Sequence, residues 1–150
     1  MRILFFCMGN ICRSPVVEAV VRKHLAAAGL DIEVASAGTE SYHVGERADA
    51  RAIASARAAG YDLSAHRARQ LAAADFLHYD SLLAMDHVNL RAARRIGIDA
   101  GDGRLGLFLP HAGLADPAEV PDPYYGSATD FRRVIELAEA GAQGLIARLR

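Results

Sequence analysis

The sequence predicts a single-domain, three-layer α/β sandwich, in which a four-stranded parallel sheet is flanked by helices and a phosphate-binding loop follows the first strand. Three observations carry this reading. Short apolar runs alternate along the chain with longer segments of helical periodicity, the order that places parallel strands side by side through crossover helices. Several of those runs are apolar throughout, as strands covered on both faces must be. A chain of 150 residues with 52% hydrophobic content and a mean hydropathy of +0.10 is about one domain in length and rich enough to fill a core. The domain is therefore expected to span residues 1–150.

Ile3-Leu4-Phe5-Phe6 is the first buried strand. A turn at Gly9-Asn10 leads to a helix that Ser14 is expected to cap, with Pro15 at its first position. Val16, Val17, Val20, Val21 and Leu25 recur at helical spacing, and Gly29 ends the segment. Asp31-Ile32-Glu33-Val34-Ala35 alternates as a half-buried strand, after which Ser36-Ala37-Gly38-Thr39 opens a loop running to about Gly45. Residues 49–59 form an alanine-rich helix closed by Gly60. Ser81-Leu82-Leu83-Ala84-Met85 is the third strand, and the helix after it carries Leu90, Ala93, Arg94 and Arg95 and stops at Gly97. Gly106-Leu107-Phe108-Leu109 is the fourth strand, ended by Pro110. A long loop then holds Pro117, Pro121 and Pro123, and the last helix, residues 128–149, lines up Phe131, Val134, Ile135, Leu137 and Ala138 on one face. The chain has no repeat, linker or low-complexity tract.

Composition narrows the functional classes. Lysine plus arginine is 17 and aspartate plus glutamate 18, giving a formal charge of −1 and a pI near 6.6. A chain so balanced lacks the field that draws proteins to nucleic acid or anionic membranes, so neither is an expected partner. The opening apolar run stops at Gly9-Asn10, too short for a signal-peptide core or a membrane span, and the expected compartment is the cytoplasm. The two cysteines, Cys7 and Cys12, suit neither a disulfide scaffold nor a metal site, which leaves a reactive thiol. No metal or organic cofactor is expected.

The chemistry concentrates after the first strand, in Cys7-Met8-Gly9-Asn10-Ile11-Cys12-Arg13-Ser14-Pro15. Ligands of parallel sheets bind at the carboxyl ends of the strands, where this loop sits. A loop of this length before a helix amino terminus curls its backbone N–H groups around one anion, helped by the helix dipole. Gly9 and Asn10 tolerate the left-handed conformations that such curling needs. Arg13 offers a planar fork for phosphate oxygens, and Cys7 at the base of the cradle is a nucleophile aimed at phosphorus. Cys7 could equally be an inert buried residue at a strand end, but the combined placement of Gly, Asn, Arg, Ser and Pro favours the cradle.

Over essentially its whole length the sequence resembles the low-molecular-weight protein tyrosine phosphatases. The resemblance rests on residues 7–15, on Ser36-Ala37-Gly38-Thr39, on Ala65-His66-Arg67-Ala68-Arg69-Gln70, on Met85-Asp86 with Asn89, and on Asp122-Pro123-Tyr124-Tyr125. The first and last are specific to the family and the middle ones supporting. The resemblance implies a cysteine-dependent phosphatase for phosphotyrosine and small aryl phosphates, working through a phosphocysteine on Cys7 with Arg13 as phosphate clamp. Two loop aspartates precede prolines, Asp116 and Asp122; the resemblance makes Asp122 the general acid and base because Tyr124-Tyr125 follow it. Met8, Gly9, Asn10, Ile11 and Cys12 would line the phosphate site. Tyr42, Tyr124 and Tyr125 would wall the slot for the substrate ring, Tyr42 standing where relatives often carry tryptophan. Ser14 resembles a hydroxyl that steadies the thiolate, while Asn10, Ser36 and His66 match a supporting network. Cys12 is expected to trap oxidised Cys7 as a reversible disulfide, or else to be a small apolar filler.

Arg91, Arg94, Arg95, Arg132 and Arg133 read as solvated helix faces. The expected partners are a phosphotyrosine protein or aryl phosphate substrate and an opposing tyrosine kinase, with the chain itself a monomer or weak dimer. Three other readings compete. Arsenate reductases of the thioredoxin-coupled type use further cysteines, and none follows Cys12. Protein-arginine phosphatases usually carry threonine where Ile11 stands. A non-catalytic phosphopeptide-binding module would need no nucleophile, acid and thiolate-stabilising hydroxyl together.

Overall fold

Phe5 at the centre of the first strand shows no accessible surface, and the elements around it assemble to cover it. The structure, a computed structural model, describes residues 1–97 and 101–150. Among these, four strands form one sheet: β1 (Arg2–Cys7), β2 (Glu33–Gly38), β3 (Ser81–Ala84) and β4 (Leu105–Leu107). Their order is β2-β1-β3-β4, and every pairing is parallel. The expected four-stranded α/β architecture is thus observed.

Side chains of β1 alternate between two cores, as the period of a strand requires. Ile3, Phe5 and Cys7 face one side, where α1 (Arg13–Ala27), α5 (Phe108–His111) and α6 (Ala128–Leu149) contribute apolar residues. Leu4 and Phe6 face the other, with Phe76 of α3 (Asp75–His78) and Leu90 and Ala93 of α4 (His87–Ala93). The remaining helix, α2 (Ala50–Ala58), adds the buried Ala52 and Ala56 to the first core. It begins at Asp49, whose carboxylate accepts the Arg51 N–H, and the chain turns after it at Gly60 with φ +94°. No helix among the described residues is long and apolar enough to cross a membrane. Arg91, Arg132 and Arg133 are exposed on their helices as expected, while Arg94 and Arg95, also exposed, follow α4, which ends at Ala93 rather than running on to Gly97.

Three local expectations are corrected. Ser14 is not a cap: α1 starts at Arg13, its N-cap is Cys12 without a side-chain bond, and the Ser14 side chain turns inward. Second, Ser36-Ala37-Gly38 continues β2 rather than opening a loop, pairing with Phe5, Phe6 and Cys7 in register. Small residues look loop-like in sequence, but here the Ser36 hydroxyl finds buried polar partners, and a Cβ on Gly38 would stand 2.7 Å from the Met8 carbonyl oxygen. Third, β4 ends at Leu107, and Phe108-Leu109-Pro110-His111 coil into one helical turn. Proline suits a first helical turn, whose N–H groups lack intrahelical acceptors. The turn directs the Phe108 ring edge-on to Phe5 at 5.1 Å, and Gly141 of α6 makes room for it, since a Cβ there would fall 2.2 Å from the ring.

The order β2-β1-β3-β4 reverses direction between β1 and β3. Loops leaving the carboxyl ends of these two strands diverge to opposite faces and open a crevice between them, the usual ligand site of such sheets. Residues 8–12 leave β1 at this point, and Asp86 follows β3 beside them.

Candidate active site

The segment after β1 curls tightly because Asn10 takes φ 58°, a left-handed conformation that asparagine adopts more readily than most residues. Four bonds hold it there. The two amide hydrogens of Asn10 go to Ser14 Oγ at 2.8 Å and Ser36 Oγ at 3.0 Å. Its side-chain oxygen accepts the Arg69 N–H at 3.0 Å, and its backbone carbonyl accepts His66 Nε2 at 2.7 Å. His66 lies in the irregular segment between α2 and α3. The chain of donors continues inward, with the Ser36 hydroxyl donating to Glu18 Oε1 at 2.5 Å and Glu18 paired with Arg22. A half-buried carboxylate behind the loop gives the network a fixed direction, since it can only accept.

Among the described residues, no loop or turn hydrogen bond is donated by the backbone N–H groups of residues 8–13. Those donors lie at the amino terminus of α1, which no side chain caps. An anion-binding concavity requires this combination. Cys7 Sγ lies at its base, 3.0 Å from Ser14 Oγ, and is buried.

Arg13 is the first residue of α1 and only 3% exposed. Its Nη1 donates to Asp86 Oδ2 at 2.7 Å and to the Val120 carbonyl at 2.9 Å, and Nη2 lies 3.9 Å from Asp122 Oδ2. Burial works against its charge, but Cys7, Asp86 and Asp122 outweigh that cost and hold the guanidinium above its ordinary pKa. Asp86 is itself oriented as the N-cap of α4, accepting the Asn89 N–H at 2.8 Å. The Asn89 side-chain amide is buried and finds no hydrogen-bond partner among the described residues. The fork expected from Arg13 is thus half engaged by protein, which fixes its plane and leaves Nε and Nη2 for a ligand.

A cleft of about 430 Å³ opens above Cys7 and Arg13. Met8, Gly9, Ile11 and Cys12 form its floor with them, and Tyr42, Asp122, Tyr124 and Tyr125 rise around it. The two adjacent tyrosines stack edge to face at 5.0 Å, while Tyr42 and Tyr125 are largely exposed at the mouth. Asp122 accepts the Tyr124 N–H at 3.1 Å. Asp116 lies elsewhere, lining a separate groove with Pro117, Glu119 and Arg133. Ser36 and His66 touch Asn10 and not the cleft.

Cys12 differs sharply from an ordinary thiol. Burial above all, then the negative charges of Asp49, Cys7 and Asp122, push its pKa up to about 12. It is therefore a protonated thiol at neutral pH.

Sequence reasoning singled out Asp86 only as part of the Met85-Asp86 motif and gave it no role; its place between β3 and a helix that must be capped was the available signal. His43 was missed altogether. His43 lines the cleft beside Tyr42, with Nδ1 2.8 Å from Glu46 Oε2, and packs so close to Gly9 that a Cβ there would meet its ring at 2.9 Å. Only the folded loop brings it to the site.

Comparison with known proteins places this geometry. The family model described as low molecular weight phosphotyrosine protein phosphatase matches residues 2–150. A low molecular weight protein-tyrosine-phosphatase of Streptomyces coelicolor is 42% identical, the match covering 99% of this chain and 93% of that one. Among solved structures, a protein tyrosine phosphatase of Entamoeba histolytica with Hepes in its active site superimposes with a TM-score of 0.90 at 35% identity, over 99% of this chain and 96% of that one. A Drosophila arginine phosphatase also superimposes with a TM-score of 0.90, at 26% identity over 100% and 98% of the two chains.

Proposed function

The chain belongs to the low molecular weight phosphotyrosine protein phosphatase family, and we propose that its cleft hydrolyses phosphotyrosine in proteins and small aryl phosphates in two steps through Cys7. In the first, the Cys7 thiolate forms a bond to phosphorus as the bond to the phenolic oxygen breaks, and Asp122 delivers its proton to that oxygen. In the second, water attacks the phosphocysteine, Asp122 takes a proton from the water, and the sulfur leaves as thiolate with inorganic phosphate as product. Backbone N–H groups of residues 8–13 and the free edge of Arg13 hold the equatorial oxygens throughout. Ser14 donates to the thiolate as it leaves, and Tyr42, Tyr124 and Tyr125 flank the ring.

The convergence of Cys7, Arg13 and Asp122 on one cleft carries this reading. Sulfur at the base, a buried guanidinium and a carboxylate at the rim are the three groups that phosphoryl transfer through cysteine requires. The expected partners are phosphotyrosine proteins and the kinase that makes them, in the cytoplasm, with the chain a monomer or weak dimer. The pair Cys7 and Cys12 makes the site redox-sensitive: oxidation of Cys7 to a neutral sulfenic acid removes one of the charges that keeps Cys12 protonated, easing its attack on that sulfur.

The likeness to an arginine phosphatase favours a second substrate class, phosphoarginine. Purified protein assayed side by side on phosphotyrosine, phosphoserine and phosphoarginine peptides separates the two. Turnover of phosphotyrosine is expected, with loss after peroxide and recovery with thiol. A clear preference for phosphoarginine overturns the substrate assignment, and normal activity in Cys7→Ser overturns the mechanism.

A further inference from the structure

Asp122 lies in the irregular segment between α5 and α6, so something outside that segment must set its distance from Cys7. Upstream the anchor is Val120, whose N–H donates to the Met85 carbonyl at 2.8 Å and whose own carbonyl accepts from Arg13. Downstream the anchor is Arg51, a side chain of α2 with no part in the family reading above.

The guanidinium of Arg51 is held on three sides. Nε and Nη2 donate to the two oxygens of Asp49 at 3.1 and 2.9 Å, which fixes the plane of the group. That hydrogen bond holds the Asp49 carboxyl below its ordinary pKa, so it stays ionised. Nη1 donates to the Tyr124 carbonyl at 2.8 Å. The Cζ atom lies 4.8 Å from the Phe131 ring centroid and 5.4 Å from that of Tyr124, within cation–π range of both.

These contacts form a continuous path between the two halves of the site. The Asp49 N–H donates to the Ile11 carbonyl in the phosphate loop at 2.9 Å. Its carboxylate holds Arg51, Arg51 holds the Tyr124 carbonyl, and the Tyr124 N–H holds Asp122 Oδ1 at 3.1 Å. The path joins the loop bearing Cys7 to the carboxylate across the cleft through one guanidinium. We propose that Arg51 is a positioning residue that fixes Asp122 relative to Cys7. The proposal rests on the reading of Asp122 as the proton donor. Displacing a catalytic group by about 1 Å can cost on the order of 100-fold in rate, so a tether of this kind is kinetically significant.

The test measures kcat/KM over aryl phosphates of rising leaving-group basicity, from nitrophenyl phosphate to a phosphotyrosine peptide. Arg51→Ala and Arg51→Lys are compared in the native and Asp122→Ala backgrounds. Arg51→Ala is expected to lose roughly ten-fold on the peptide and less than about three-fold on the nitrophenyl ester, since an activated leaving group needs little proton donation. Arg51→Lys, which keeps charge but not the fork, falls between; it carries the comparison if Arg51→Ala lowers the thermal midpoint. In the Asp122→Ala background the Arg51→Ala loss should shrink to less than about two-fold, the signature of two residues acting as one unit. An equal loss on every substrate, or a full loss persisting without Asp122, overturns the positioning role. If Asp122→Ala shows no leaving-group dependence, the reading of Asp122 falls and the proposal with it. If Asp122→Ala shows that dependence and Arg51→Ala does not, only the proposal falls.

Discussion

Ser14 Oγ stands 3.0 Å from Cys7 Sγ while accepting an amide hydrogen of Asn10 at 2.8 Å. A hydroxyl has one proton to give, and the competing acceptor, the Ala37 carbonyl, is 3.4 Å away. Asn10 takes one of the two lone pairs and leaves the hydroxyl proton free to donate to the sulfur when it is a thiolate, which can only accept. Hydrogen bonds to charged groups contribute about 1.5–3 kcal/mol, so Ser14→Ala should lower kcat by roughly 10- to 100-fold. Steady-state kinetics on an aryl phosphate check this, and an unchanged kcat would show that the hydroxyl serves the fold alone.

Asp122 and Asp116 are separated by their surroundings. Asp122→Ala should reduce kcat/KM on a phosphotyrosine peptide by about 100- to 10,000-fold, the usual contribution of general acid catalysis. Asp116→Ala, in a groove away from the cleft, should remain within about two-fold of the native rate. Comparable losses in the two variants would show that the acid is misassigned.

Asp86 holds a guanidinium that is only 3% exposed. Asp86→Ala leaves that charge with the Val120 carbonyl and the more distant Asp122 as its protein contacts. Removing one partner of a buried pair costs on the order of 3–5 kcal/mol; with Asp86 itself partly solvated, a loss of about 2–3 kcal/mol is expected. Denaturant unfolding measures the stability change, and inhibition by inorganic phosphate should weaken in parallel because Arg13 loses its fixed plane. Native stability with native phosphate affinity would refute the clamp.

Cys12 sets a pH dependence of stability. Its folded pKa, pushed up to about 12 from an ordinary 9.0, means the native state holds the proton more tightly than the unfolded chain. That preference is fully present below pH 9 and is lost as pH rises toward 12, so native stability should decline across this window. Cys12→Ala should show a shallower decline when urea midpoints are compared from pH 8 upward, and parallel curves would contradict the assignment.

Much of the site was legible because its chemistry is written in one contiguous segment. A strand, a curling loop with Gly9 and Asn10, and a helix opening with Arg13 and Ser14 follow from local backbone preference alone. The boundaries that misled did so for a common reason. Ser14, Ser36 and Gly38 have local tendencies toward caps, loops and turns, and tertiary partners override each of them: Cys7 and Asn10 claim the two hydroxyls, and the phosphate loop packs on the glycine. Phe108 and Leu109 read as strand because they are apolar, yet burial against Phe5 and α6 is equally available to a helical turn.

The parallel α/β order and the cysteine and arginine of the loop after β1 were readable from residue type and near-neighbour spacing, whereas spacing left Asp116 and Asp122 both open as the candidate acid and only the family resemblance favoured Asp122. Tertiary structure alone decided that Asp86, at the start of α4, meets Arg13, that His43 lines the cleft, and how Arg51 reaches the Tyr124 carbonyl. Those contacts join residues 73 positions apart in two of the three cases, Arg13 with Asp86 and Arg51 with Tyr124. No local preference encodes such distances; the strand order, by setting β1 beside β3 and folding the later loop over both, brings them within a hydrogen bond.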